Sequence, residues 1–311
     1  MEVENKVVGI GAHPPAPVPE PTEAVETATC EPAELREPIS AVCEKISRLR
    51  NRALLVLATS MIDSDLVERL CRFRKKLQAA ASRKEGAVDV LLNSPGGELN
   101  SCFLIAQLLG RWLGCSWEAL VPSYASSGAT LICLGSSSIV MSERAQLGPL
   151  DPQQRLFDAD RSSPFEAFRG MQELFNFALN CFENGVEFMV ERKVSPEKAL
   201  EAAGDLAIRM VEPIIAKIEP CDIGILAIDS AMAIDYCARI ARPADPARRT
   251  QREVDPAALV RGLPGHEYAI DADAARALNF HVCDATPELE DLFDELRPLL
   301  TSASCYIGLA G

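Results

Sequence analysis

What this 311-residue sequence lacks narrows its chemistry before any motif is read. Histidine is scarce: His13, His266 and His281 are all there is, and the long stretch from Ser127 to Gly265 holds none. Basic residues fall well short of acidic ones, for a net charge of −14. That balance argues against nucleic acid or an anionic membrane surface as the main partner, since neither gains from an acidic protein. No apolar run reaches the roughly 20 residues of a membrane span, and no signal peptide opens the chain. The eleven cysteines include no C-x-x-C pair and no metal-ligand spacing. Cys102, Cys133 and Cys181 fall inside apolar patterns, where a thiol acts as a small hydrophobe. A soluble, reducing, cytoplasmic setting is expected, with no metal and no cofactor. Aromatics are few, at 5%, but 48% of the residues are hydrophobic, so a substantial core can be buried.

The chain divides by composition. Residues 1–37, rich in Pro, Glu, Ala and Thr, read as a disordered tail. A short amphipathic helix is expected over Ile39 to Arg50. Apolar strand runs then alternate with helical patterns. "ALLVLA" from Ala53, "AVDVLLN", "WEALVPS", "SSIVMS" and "AQLGPL" read as strands. The stretches after Asp63, from Glu98 to Leu113 and from about Ser127 to Leu134 read as helices. Strands that are apolar throughout, with helices between them, imply a mostly parallel sheet covered on both faces. Residues 163–240 read as helical, broken at "KVSPEKA" and "IEPCDIG". An exposed connection, "ARPADPARRTQREVDP", leads to a strand-like piece and a helix in "HEYAIDADAARALNFHV". Residues 38–285 thus form one α/β domain, and 286–311 a C-terminal helix and tail.

Two glycine-rich turns each follow a strand directly. One is Asn93-Ser94-Pro95-Gly96-Gly97; the other is Tyr124-Ala125-Ser126-Ser127-Gly128-Ala129-Thr130. In a parallel sheet both lie at the carboxyl ends of the strands, where open α/β sheets gather their sites. A serine at a helix N-terminus, beside outward-pointing amides, suits acyl transfer: the amides and the positive helix end stabilise the oxyanion. Glycine is needed there because a side chain would block approach to the backbone.

These residues resemble a known family. "NSPGGELNSCFLIAQLL", then "YASSGATLI" and "AQLGPLDPQ", are similar to the Clp protease/crotonase superfamily. Within it they resemble most the serine dehydrogenase proteinase group, related to signal peptide peptidase A. "GLPGHEYAIDADAARAL" is similar to a further family segment, so the resemblance runs from about Ala53 to Val282. It implies a ClpP/crotonase-like parallel sheet flanked by helices with a helical C-terminal extension. It also implies a serine peptidase acting through an acyl-enzyme on a peptide or protein substrate, and a homo-oligomer. Carried over, the amides of Gly96, Gly97 and Gly128 form the oxyanion hole. An ungapped register places the nucleophile at Ser127, whereas a Clp-type Ala-Ser-x-Gly-Ala register selects Ser126. Two positions depart from the pattern: Ala129 stands where glycine is expected, and Ser137 where relatives tend to have Asp.

The proton acceptor that a serine nucleophile needs is left open. The Clp-type histidine slot, near Leu150 and Asp151, holds no histidine, and Asp151 falls beside it. Lys193, Lys198 and Lys217 are the only lysines beyond Ser127, and His266 lies in a loop-like "PGHEY". Structural readings compete throughout. Pro95-Gly96-Gly97 could be a plain tight connection, Ser126 or Ser127 an N-cap, Asp151 a cap and His266 a surface residue. Two rivals to a hydrolase therefore stand: an inactive scaffold that keeps the fold and binds or oligomerises through 163–240, and crotonase-like acyl-CoA chemistry on the same paired amides.

Overall fold

The computed structural model describes residues 33–84, 87–114, 117–150, 164–216, 220–241, 254–265, 267–302 and 305–311. Its centre is a six-stranded sheet in the order β7-β5-β3-β2-β1-β8. The strands are β1 (Ala53–Thr59), β2 (Val88–Asn93), β3 (Trp117–Val121), β5 (Ile139–Met141), β7 (Val282–Asp284) and β8 (Cys305–Ala310). All pair in parallel except β8, which runs antiparallel along β1. Every residue of β1 and β2 is buried, as expected of central parallel strands covered on both faces.

Side chains alternate between two cores. Ala53, Leu55, Leu57, Val88, Val90 and Leu92 face α2 (Ser64–Arg83), α3 (Leu99–Leu113), α4 (Gly128–Leu134) and α7 (Pro220–Ala241). Leu54, Val56 and Leu91 face α1 (Ala33–Arg50) and α10 (Pro287–Ser302) on the other side. Helix α2 starts where its sequence signals it, with the Asp63 carboxylate accepting the Leu66 N–H at 2.9 Å. At the amino ends of the strands, Asp89 is buried yet ion-paired to both Arg50 and Arg52, which also reach Glu118. This lattice neutralises a carboxylate that burial would otherwise penalise.

At the carboxyl edge, β3 and β5 leave the large sheet and pair again as a small one, β4 (Tyr124–Ala125) with β6 (Gln146–Leu147). Helices α5 (Pro164–Glu191) and α6 (Pro196–Ile215) pack mainly on each other, and α5 also touches α7. Two short helices, α8 (Pro256–Arg261) and α9 (Ala272–Ala277), complete the first face.

The elements differ from the sequence reading in several places, three of which bear on the main sheet and its flanks. Helix α1 begins at Ala33 and so takes in the end of the expected tail; residues 1–32 lie outside the described residues. The three-residue β7 is too short to give a period-two signal. Cys305–Ala310, expected as tail, is an edge strand of the main sheet that closes β1. No helix among the described residues is long and apolar enough to cross a membrane.

Candidate active site

The two glycine-rich turns meet. Strand register brings β1, β2 and β3 to one edge, with Ala58 opposite Asn93 and Leu91 opposite Leu120. Beyond that edge Ser94 bridges Ala125: the Ser94 N–H donates to Tyr124 O at 3.1 Å, and the Ser126 N–H donates to Ser94 O at 3.0 Å. On its other side the first turn pairs with Ile62, whose N–H donates to Gly96 O at 2.9 Å. Its carbonyl receives the Glu98 N–H at 2.7 Å.

Glycine is a steric requirement here. A Cβ on Gly96, whose φ is +108°, would lie 2.8 Å from Ser126 O and 2.9 Å from both Gly128 N and Ser127 Cβ. One on Gly97 would fall 2.1 Å from Ile62 O, and one on Gly128 only 2.2 Å from Cys102 Sγ and 3.7 Å from Gly97 N. The same holds at Gly148, where a Cβ would sit 2.9 Å from Ser126 Cβ. Gly96 and Gly97 thus pack against backbone, Gly128 against the Cys102 side chain and Gly148 against Ser126.

The three expected amides are not equivalent. The Gly96 N–H donates to Ser94 Oγ at 3.2 Å, so it is directed into its own turn. Among the described residues no hydrogen bond uses the N–H of Gly97 or of Gly128. Gly128 N is the first amide of α4, and such amides lack an intrahelical acceptor.

Ser126 and Ser127 also separate. Both are half-buried. Ser126 is a strand-end residue whose Cβ and Oγ pack against Gly148. Ser127 occupies the N-cap position of α4, but its side chain makes no capping hydrogen bond. Its backbone, at φ 50° and ψ −124°, is one of four positive-φ non-glycine residues among the described residues. A non-glycine side chain there costs of order 1–3 kcal/mol and persists only where the surroundings impose it. The surroundings are visible: Thr130 N–H donates to Ser127 O at 2.9 Å. The Thr130 hydroxyl lies 2.7 Å from Ala125 O and 2.8 Å from Gly148 O, and accepts the Gly148 N–H at 3.1 Å. A strained serine on a sharp strand-to-helix turn, with its hydroxyl left uncapped, is the geometry of a nucleophile elbow.

Other expected residues fall in different places. Asp151, His266 and Lys217 lie outside the described residues. Lys193 is an exposed turn residue between α5 and α6, and Lys198 is exposed on α6; neither has a hydrogen bond to Ser126 or Ser127. His281 sits at the amino edge of the sheet, its Nδ1 3.0 Å from Ser137 O, across the strands from the serines. Cys102, under Gly128, is no rival nucleophile, because burial pushes its thiol up to about 12. Ala129 is fully buried in the core, and the Ser137 hydroxyl donates to Trp117 O at 2.8 Å.

Sequence reasoning did not single out Ser94, Thr130 or Gly148. The Thr and the Gly stand inside quoted motifs, but that a hydroxyl eighteen residues away would join them is visible only in space. Asn93, at the end of β2, is 6% exposed, and its Oδ1 is buried without a hydrogen-bond partner.

Residues 58–167, which contain both turns, match the family described as ClpP-like SDH-type serine proteinase. Among curated proteins the chain is 30% identical over 131 residues to the uncharacterized protein MJ0137 of Methanocaldococcus jannaschii, covering 39% of this chain and 46% of that protein. A second uncharacterized protein of that organism, MJ1495, is 29% identical over 130 residues, covering 38% and 44%. The chain thus spans just under half the length of these relatives. Among solved structures it is similar to ClpP1 from Listeria monocytogenes, with a TM-score of 0.35, 11% identity, and coverage of 79% of this chain and 98% of that one. It is also similar to a variant of the 1510-N membrane-bound stomatin-specific protease in complex with a substrate peptide, with a TM-score of 0.30, 17% identity, and coverage of 49% and 72%.

The strain at Ser127 is open to a direct test. Ser127→Gly, which removes the side chain that disfavours this backbone, is expected to raise the unfolding free energy by about 1 kcal/mol over Ser127→Ala. Urea denaturation measures it; an alanine variant at least as stable as the glycine variant contradicts the strained geometry.

Proposed function

We propose that this protein is a serine peptidase in which Ser127 attacks the scissile carbonyl. The Gly97 and Gly128 amides hold the resulting oxyanion. The observation that carries this reading is the pairing of an uncapped, strained Ser127 with two adjacent N–H groups that no described acceptor uses. A tetrahedral intermediate needs such donors about 2.7–3.1 Å from the developing charge. Gly96 acts otherwise, since its N–H is held by Ser94 and its positive φ shapes the turn. Ser126 supports Ser127 by packing on Gly148. The acyl-enzyme forms as the Ser127 proton passes to a base and then to the leaving amine, and water resolves it.

Two sequence neighbours of the site are the candidates for that base. Asp151 directly follows Leu150, and His266 precedes by four residues Ile270, which pairs with Leu147 in the small sheet. Substitution separates them. Whichever residue is the base, Asp151→Asn or His266→Gln should slow the labelling described below about a hundredfold or more, and the other variant should label as the wild type does.

The inactive-scaffold reading rests on a different feature, the apolar surface of the α5–α6 hairpin and the adjoining half of α7. Phe175, Phe188, Ile208, Ile214, Ile215 and Ile228 are each at least half exposed. Isolated exposed apolar residues need no explanation, but six carried by helices that pack on one another point to an interface. We assign this face to a second copy of the chain, so oligomerisation accompanies catalysis rather than replacing it.

A fluorophosphonate probe tests the activity. It is expected to label the full chain, with the adduct mapping to Ser127, and to leave Ser127→Ala unlabelled. An adduct on Ser126, or an unlabelled wild type, overturns the assignment. Sedimentation velocity tests the face: Ile208→Glu with Ile228→Glu should shift the protein toward monomer, and a wild type already monomeric contradicts the interface.

A further inference from the structure

Arg297, on α10, lies beyond residues 58–167 and beyond every motif that carries the family resemblance. Its side chain is 13% exposed, and it grips the two points where β3 and β5 part from the large sheet. Its Nε donates to Pro122 O at 2.9 Å. Its terminal nitrogens donate to Ser142 Oγ, Glu290 Oε1 and Asp294 Oδ1. Ser142 Oγ in turn donates to Glu290 Oε1 at 2.6 Å and accepts the Arg144 N–H at 3.2 Å. Pro122 and Ser142 each come one residue after the end of a large-sheet strand and shortly before the matching strand of the small sheet.

The position matters because the candidate site is divided between the two sheets. Gly97 follows β2 of the large sheet, while Ser126 and Ser127 follow β4 of the small one. The distance from the Ser127 hydroxyl to the Gly97 N–H therefore depends on the angle at which the small sheet leaves the large one. The Ser94–Ala125 bridge holds that angle from one side. From the other side α10 holds it, through a guanidinium that spans both departing strands at once. Only a planar fork with several donors can do so; an ammonium is a single point charge.

We propose that Arg297, buttressed by Glu290 and Ser142, is a positioning residue that sets the small sheet, and with it Ser127, against the oxyanion amides. It touches neither serine. This deepens the peptidase reading above and rests on it for its catalytic consequence, while its structural consequence stands alone.

The test uses the full chain as Arg297→Met with Glu290→Gln, a pair that leaves no unpartnered buried carboxylate. Arg297→Lys keeps the charge and loses the fork. Hydrogen–deuterium exchange should rise about tenfold or more in peptides covering 122–130 and 142–150, and stay unchanged in 53–59 and 88–93. The rate of fluorophosphonate labelling should fall at least about tenfold in both variants, since small misplacements of reacting groups are costly. A rise spread evenly over both sheets, or none in the small-sheet peptides, overturns the proposal. Full labelling in Arg297→Lys does so too. If the double variant does not fold, Ser142→Ala is read by the same exchange pattern. A wild type that never labels refutes the peptidase reading alone, and exchange still decides the role of Arg297.

Discussion

Backbone touching backbone is the constraint on which the site depends. Four glycines in and beside the two turns leave no space for a methyl group; a Cβ on Gly97 would fall 2.1 Å from Ile62 O. Because nothing intervenes, the main chain of one turn lies directly against that of the other. Because the approach is so close, the angle between the two sheets that carry them matters. Interiors are packed to crystal-like density, and such contacts are felt at the scale of a single methylene.

The fold supplies this meeting through register. Neighbouring parallel strands end close together at the edge where their turns emerge. The edge is then extended by a second sheet of two short strands, and by bridges at Ile62–Gly97, Ser94–Ala125 and Leu147–Ile270. Strain concentrates at Ser127, inside this dense mesh of main-chain bonds. The mesh holds what the residue itself disfavours.

Much of this was legible in the sequence because the signals were local. Strongly apolar runs gave β1, β2 and β3; Asp63 gave the start of α2; and the break at "KVSPEKA" gave that of α6. The two turns could be placed at the sheet's carboxyl edge from the parallel topology alone. What was not legible depended on direction or distance in space. Nothing in Ser94-Pro95-Gly96 announces that the serine takes the Gly96 N–H and leaves that of Gly97 open. β8 contains a glycine, follows a helix and pairs with a strand some 250 residues earlier, so no periodicity marks it. Arg297 reads as one more charge on an amphipathic helix until Pro122 O and Ser142 Oγ are seen beside it.

A crystal structure of the fluorophosphonate-treated protein decides whether Ser127 works against two free amides. Phosphorus is expected on Ser127 Oγ, with the phosphonyl oxygen about 2.7–3.1 Å from both Gly97 N and Gly128 N. An adduct whose oxygen turns to solvent, or whose contacts are made by Gly96 N instead, contradicts that arrangement.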